Sequence, residues 1–467
     1  MSLWSSRELK DASLISATNS DSENYQVSGI SIDSRTLDPG DLFIALSGDP
    51  GAGFSTSSSD PRDGHNFVSS AVANGAASVM VSEDIKSTCP KLLVDNTLDG
   101  LWRLAAYSRK RMQGKIVGIT GSSGKTTARQ WLEQLLKKQA PSGKTHASIG
   151  SLNNHWGVPL SLARMPAESK YGIFEIGTNH PGEIAPLSTL VSPHIALLLN
   201  VLPAHIGNFE NLIAIQNEKL TIADGLDEGG LMIVPFGMNL QSVKYNKVIT
   251  FGLRPKNDHE SKALKADVFG EGVSDSLGTR IVANILGEEV SYRLNTYGDH
   301  RVLTSLAVMA MVSALGADIQ QAARDFESLT NPDGRGNEIL INGIRVIDDS
   351  YNANPASMSF AIKALRETPG TGARIALLGE MLELGDQSQA RHQEIAKEAK
   401  ALDGVMTIGE GFRQTPGNWG HYASCEEIDI AQFLSQVKAG DTLLIKGSNK
   451  IFSQSGYVKK LVNYLGL

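Results

Sequence analysis

The residues best suited to chemistry lie at 120–127, TGSSGKTT, between an apolar run (KIVGI) and a helical pattern. Glycines let backbone N–H groups curl around phosphate oxygens, and a helix N-terminus adds positive potential. Gly121, Ser122, Ser123, Gly124, Lys125, Thr126 and Thr127 are therefore candidate nucleotide-binding residues, with Lys125 reaching the β- and γ-phosphates and the Thr126 hydroxyl on Mg²⁺. The G-x-x-x-x-G-K-[ST] pattern is missed by one place, because its first glycine falls at Gly118 rather than at Ile119. A glycine-rich turn with a surface lysine is the plain alternative, and the strand–loop–helix setting speaks against it. Glu175 sits near the end of a second apolar run, 171–177 (YGIFEIG). A carboxylate there is costly unless paired or metal-bound, and ligands of open α/β sheets gather at strand C-termini, so Glu175 is a candidate Mg²⁺ ligand. His205 follows the next run, in NVLPAHIGNF, at the same edge; a metal ligand and a hydrogen-bonded loop histidine both fit it.

These residues need strands and helices to hold them. Apolar runs without polar alternation recur at 115–120, 171–177, 195–201, 374–379 and 442–446. Buried parallel strands covered by helices on both faces read this way, so the fold class is α/β. After the glycine loop, Ala128, Trp131, Leu132, Leu135 and Leu136 fall at i, i+3, i+4, i+7 and i+8, one face of a helix. A boundary is expected before Lys115. A second is expected near 329–336 (LTNPDGRG), where Pro and Gly end a helical stretch that begins after Gly298. The Ser/Gly-rich stretch 51–60 is expected to be a mobile loop.

Length and composition narrow the class. The 467 residues suggest about three domains and can bury several cores without disulfides or structural metal. Lys plus Arg is 43 and Asp plus Glu is 50, a net charge of −7, which argues against a coat for nucleic acid or anionic membrane. The two cysteines, Cys89 and Cys425, are far apart and make no disulfide framework, as suits a reducing cytoplasm. The N-terminus lacks the apolar region of a secretory signal, and IALLLNVL is far short of the ~20 residues that span a bilayer, so a cytoplasmic protein without membrane insertion is expected.

Taken together, TGSSGKTT, the strand Glu175 and NVLPAHIGNF resemble the ATP-dependent Mur ligases of peptidoglycan synthesis, whose phosphate loop is the shorter T-G-x-x-G-K-T. Three stretches, DDSYNANPASM (348–358), LGEMLELG (378–385) and SLNNHWGVP (151–159), are similar to the member that adds D-alanyl-D-alanine to UDP-N-acetylmuramoyl tripeptide. DSR (33–35), PGDLFIAL (39–46) and DGHNF (63–67) resemble its UDP-sugar domain, and GDTLLIKGS (440–448) its closing strand. The resemblance covers nearly the whole chain, in order. It implies an N-terminal α/β UDP-substrate domain at 1–113, a central P-loop domain with a parallel sheet at 114–328, and a C-terminal Rossmann-like domain at 329–467 that binds the dipeptide and closes over the nucleotide. It implies substrate contacts for Ser34, Arg35, Asn153, Asn154, Tyr351, Asn352 and Asn354, and ATP contacts for His300, Arg335 and Asp349. Arg301 stands where the family often has an asparagine that helps hold adenine; Asn449 stands where arginine is common; residues 51–62 look like an insertion.

The chemistry so implied is amide formation driven by ATP. The tripeptide carboxylate takes the γ-phosphoryl group, and the dipeptide amine then displaces phosphate, with Lys125 and two Mg²⁺ neutralising charge. The amine must attack uncharged; His180 is a candidate base and equally a simple loop histidine. Lys219 lies fourteen places after His205, the spacing at which the family carries a carbamoylated lysine, so the resemblance makes Thr126, Glu175, His205 and carbamoylated Lys219 the metal set and gives Lys219 a depressed pKa. By itself, Lys219 in QNEKLT reads as a solvated helix lysine. A monomer is expected. Two alternatives stay open: a sibling ligase adding one amino acid, whose Asp-Asn-Pro-Arg motif this chain lacks, and a non-catalytic nucleotide-binding module.

Overall fold

The computed structural model describes residues 2–13, 17–18, 24–47, 63–140, 144–203, 206–241, 247–255, 266–452 and 455–466. The 51–60 stretch and His205 lie outside them.

Three main sheets carry the chain. In the first, Ile30–Ser31, Leu42–Ile44, Ser78–Val81 and Lys91–Leu93 run parallel, with Ala17–Thr18 antiparallel at the edge. The central sheet is built around β1 (Lys115–Thr120), which feeds helix α1 (Lys125–Gln139). Helix α2 (Gly157–Ala163) follows, then β2 (Tyr171–Glu175), α3 (Ile184–Val191), β3 (Ile195–Leu198) and α4 (Leu212–Leu220). Strands β2 and β3 flank β1 in parallel, so the ends of all three open on one edge. Helix α5 (Asp299–Ala314) packs against this sheet, its residues Val302, Leu306 and Met309 buried with Trp131 and Leu135 of α1. The third sheet holds β4 (Ile344–Asp349), β5 (Arg374–Gly379) and β6 (Thr442–Lys446), with β6 parallel between the other two and helix α6 (Pro355–Glu367) after β4.

The expected strands are all present, shortened at 171–177 and 195–201, and the five apolar residues of α1 are buried. The expected helical stretch after Gly298 is two helices, α5 and Ile319–Asp325, divided at Gly316 with φ +68°. The central sheet is not parallel throughout. Val268–Asp275, Gly278–Ile285 and Glu288–Leu294 extend it as an antiparallel meander. Ile281, Ala283 and Ile285 alternate inward under α5 while Val282 faces out, the period of two expected of a half-covered strand.

The first sheet does not complete its own core. Leu160 and Ala163 of α2 are buried among Trp4, Leu42 and Leu101, and Trp4 Nε1 donates to the Ala163 carbonyl at 2.9 Å. Helix α2 thus joins the N-terminal sheet to the loop before it, which reaches Glu175. Among the described residues no helix is long and apolar enough to cross a membrane.

Candidate active site between the central and C-terminal sheets

Chain direction puts the glycine loop at the open edge: β1 ends at Thr120 and α1 begins at Lys125. Gly124 has φ +80°, and a Cβ at Gly121 (φ +154°) would stand 3.1 Å from Leu199 Cβ, so the turn needs glycine at both places. Asn200, just past β3, holds the loop. Its Oδ1 accepts from Ser122 N (3.1 Å) and Ser123 N (3.0 Å), and its Nδ2 donates to Ser123 O (2.9 Å). Asn200 was not singled out from the sequence; its place after an apolar strand at the same edge was the available signal. Lys125 is half-buried in the first turn of α1, not exposed on the loop, and its Nζ donates to Gly121 O at 2.7 Å. Burial lowers its pKa, Arg335 adds to this, and Glu175 opposes it.

Glu175 is 2 % exposed and fully engaged. Thr126 Oγ1 donates to its Oε2 at 2.8 Å and Asn153 Nδ2 to its Oε1 at 2.7 Å. Adjacent oxygens in an octahedral Mg²⁺ shell lie about 2.9 Å apart, so Thr126 and Glu175 are spaced to share one ion. Among the described residues no group of three His, Cys, Asp or Glu side chains is placed to hold a metal ion. One carboxylate plus substrate phosphates is the donor set Mg²⁺ commonly takes.

Lys219 is no solvated helix lysine. It lies near the end of α4 with 3 % exposure. Burial, then the charge of Lys125, pull its pKa down to about 7, against the opposing pull of Glu218. Glu218 accepts from Gly182 N (2.7 Å) and Ile184 N (2.9 Å), satisfying amides at the start of α3. Glu183 binds Asn179 N at 2.7 Å and stands 3.3 Å from His180 Nδ1.

A cavity of about 460 Å³ lies between the glycine loop and the C-terminal sheet. Ser122, Ser123, Gly124, Lys125, Thr127, Asn153, Asn154, Glu175, His300, Arg335, Asp349, Tyr351, Asn352 and Asn354 all line it. Arg335 crosses from the C-terminal side: its guanidinium lies 4.1 Å from the Tyr351 ring centre and donates to Ser151 Oγ at 3.1 Å, and Tyr351 Oη donates to the same Ser151 oxygen at 2.9 Å. Asp349, at the end of β4, pairs with Lys446 at 2.8 Å across to β6. Two of the asparagines have helix duties as well. Asn154 Oδ1 accepts from Gly157 N (2.9 Å) at the start of α2, and Asn354 Oδ1 from Ser357 N (2.8 Å) as the N-cap of α6. Ser34, Arg35, Lys219 and His180 do not line the cavity. Arg35 is exposed and bound to Asp33 at 2.9 and 2.7 Å, which draws the Asp33 carboxyl down to about 2.

A second, more apolar cavity of about 270 Å³ adjoins the first, sharing Asn200, His300, Thr304 and Phe360 and walled by Leu199, Leu303 and Ala364. His300 stacks on Phe360, with ring centres 5.5 Å apart and planes at 6°. Arg301 points away from this cavity into the larger one.

Residues 119–312 match the family described as the Mur ligase middle domain, and residues 334–449 the Mur ligase, glutamate ligase domain. The UDP-N-acetylmuramoyl-tripeptide--D-alanyl-D-alanine ligase of Escherichia coli K12 is 32% identical over 427 residues, covering 90% of each chain. The enzyme of that name from Bacillus subtilis 168 is 30% identical over 441 residues, covering 91% of each. A crystal structure of MurF from Acinetobacter baumannii superposes with a TM-score of 0.83 at 28% identity over 98% of this chain and 99% of that one. MurF from Thermotoga maritima in complex with ADP gives 0.77 at 26% identity over 93% and 98%.

Proposed function

This chain belongs to the Mur ligase family, and we propose that within it the chain is the ATP-dependent ligase that joins D-alanyl-D-alanine to UDP-N-acetylmuramoyl tripeptide through an acyl phosphate, a cytoplasmic step of peptidoglycan synthesis. The single observation carrying the mechanism is that cationic side chains from two sides, Lys125 at the start of α1 and Arg335 and Lys446 on the C-terminal side, meet around Glu175 in one cavity, with Thr126 bonded to Glu175 behind it. That arrangement suits a polyphosphate whose terminal group is transferred.

The glycine-loop amides and Lys125 hold the β- and γ-phosphates. Arg335 reaches the transferring group from the C-terminal side, oriented by Tyr351 and Ser151. Thr126 and Glu175 are the Mg²⁺ residues, with His205 and Lys219 as further members of the set. Mg²⁺, when bound, neutralises charge on phosphate and on the developing oxyanion. Lys219 is the carbamoylation site: the reaction needs the neutral amine, and a buried lysine with a pKa near 7 supplies it. The adjoining apolar cavity, floored by the His300–Phe360 stack, suits the adenine ring. Asn153, Asn154, Tyr351, Asn352 and Asn354 lie where the tripeptide carboxylate and the dipeptide amine have to meet. Ser34 and Arg35 serve the distant UDP end. The division at 1–113, 114–328 and 329–467 is proposed on the three main sheets, whose strands fall within 17–93, 115–294 and 337–446. A monomer is proposed as the working unit.

The test is ADP release with UDP-N-acetylmuramoyl tripeptide and a panel of D-amino acids and dipeptides. Release with D-alanyl-D-alanine and not with single amino acids is expected. Release with one amino acid alone makes the chain a sibling ligase, and release independent of any amine overturns the ligase reading.

A further inference from the structure

Arg301 is a buried cation whose guanidinium meets three separate elements. One terminal nitrogen lies 3.4 Å from Thr127 Oγ1 in the first turn of α1. The other donates to the Arg335 carbonyl at 2.9 Å and faces Asp349 Oδ1 at 3.7 Å. The surroundings are shaped around it. Gly336 has φ +80°, and a Cβ there would lie 2.3 Å from that second nitrogen. The other Asp349 oxygen is taken by Lys446, which leaves Oδ1 turned toward Arg301. Its neighbours on α5 also grip the C-terminal part: Asp299 pairs with Lys363 at 3.1 Å, and His300 stacks on Phe360.

We propose that Arg301 is a positioning residue for Arg335: it anchors the Arg335 backbone to the first turn of the glycine-loop helix and so sets where the Arg335 side chain stands over the transferring phosphate. A charged donor on a carbonyl is stronger than a neutral one, and the planar fork of arginine holds several acceptors in fixed directions where lysine offers a point charge. The flanking glycines are tied to the C-terminal sheet, Gly334 O accepting from Tyr351 N at 2.9 Å and Gly336 N donating to Asp348 O at 2.7 Å, while the Arg335 carbonyl between them is met by Arg301. Loss of the Arg301 bond releases the Arg335 carbonyl and lets that one peptide unit turn between its anchored neighbours. A displacement of about 1 Å in a charge-stabilising group costs on the order of 100-fold in rate. The inference rests on the ligase reading above.

The experiment is a double-mutant cycle in ligase turnover with wild type, Arg301→Met, Arg335→Ala and the double variant. Arg301→Met is expected to lower kcat by about 10- to 100-fold with a smaller change in KM for ATP, and Arg301→Lys to recover only part. With Arg335 already Ala, Arg301→Met is expected to cost less than about twofold more. Arg301→Gln, which keeps a neutral donor in place of the charged fork, is expected to fall between Arg301→Met and wild type, and it serves in the cycle if Arg301→Met fails to fold. Additive losses, or full kcat in Arg301→Met, overturn the inference alone. A wild type that does not ligate overturns the ligase reading and this inference with it.

Discussion

Lys219 is buried within range of the Lys125 charge, and burial first, that charge second, bring its pKa to about 7. The folded-state value lies below the ordinary 10.5, so the charged form is penalised in the fold. That penalty is complete below pH 7, where folded and unfolded chains are both protonated, and fades as pH rises from about 7 to 10.5. Stability is therefore expected to rise across that window and to flatten there in Lys219→Met, measured by urea unfolding at a series of pH values. At fixed dissolved CO₂, a carbamate signal in ¹³C spectra is expected to grow as pH passes 7. Lys219→Ala is expected to be nearly inactive and partly restored by a short carboxylic acid; an active Ala variant without a carbamate in the wild type counts against the assignment.

Lys125→Ala is expected to lose about 10²–10³-fold or more in turnover, since it removes a cation from the phosphates. Its bond to Gly121 O is one hydrogen bond back to the loop, so the change in unfolding free energy is expected to be about 1 kcal/mol or less. Near-normal ligation by a folded variant would falsify the phosphate-loop assignment.

Asn153 aims Glu175 by a 2.7 Å bond to Oε1. Asn153→Ala is expected to raise the Mg²⁺ concentration for half-maximal activity by about 10- to 100-fold. A Mg²⁺ titration checks this. An unchanged Mg²⁺ requirement with a raised KM for the UDP-peptide would assign Asn153 to the substrate instead.

Phe360 closes the apolar cavity by stacking on His300. Phe360→Ala is expected to raise KM for ATP about three- to tenfold with little change in kcat, the pattern of lost uniform binding. A kcat effect without a KM effect would move the adenine elsewhere.

Cys425 is 5 % exposed and donates to Ile451 O at 3.2 Å; burial pushes its thiol up to about 12. Cys89 is half-buried near the Ser87 hydroxyl. Iodoacetamide at pH 8 is expected to label Cys89 and spare Cys425 in the folded protein, read by peptide mass spectrometry. Equal labelling would mean that the C-terminal core opens on that timescale.

The sequence by itself determined what neighbours along the chain can encode. An apolar strand, a glycine turn and a helix with one buried face are written in consecutive residues, so β1, the phosphate loop and α1 were legible, as was a carboxylate near the end of β2. The resemblance added Arg335, Tyr351 and Asp349, all of which the structure brings to the cavity. Alternation in the 278–285 strand was a weak signal beside stronger apolar runs, and the antiparallel meander went unread. Only tertiary packing decided the rest. Tyr351 meets Ser151 across 200 positions, and Arg301 meets Arg335 O and Asp349, because separate sheets close on one edge. Lys219 differs from a solvated lysine through nothing in QNEKLT; the low polarity of its packed surroundings and the nearby Lys125 charge move its proton, and both are properties of the folded chain.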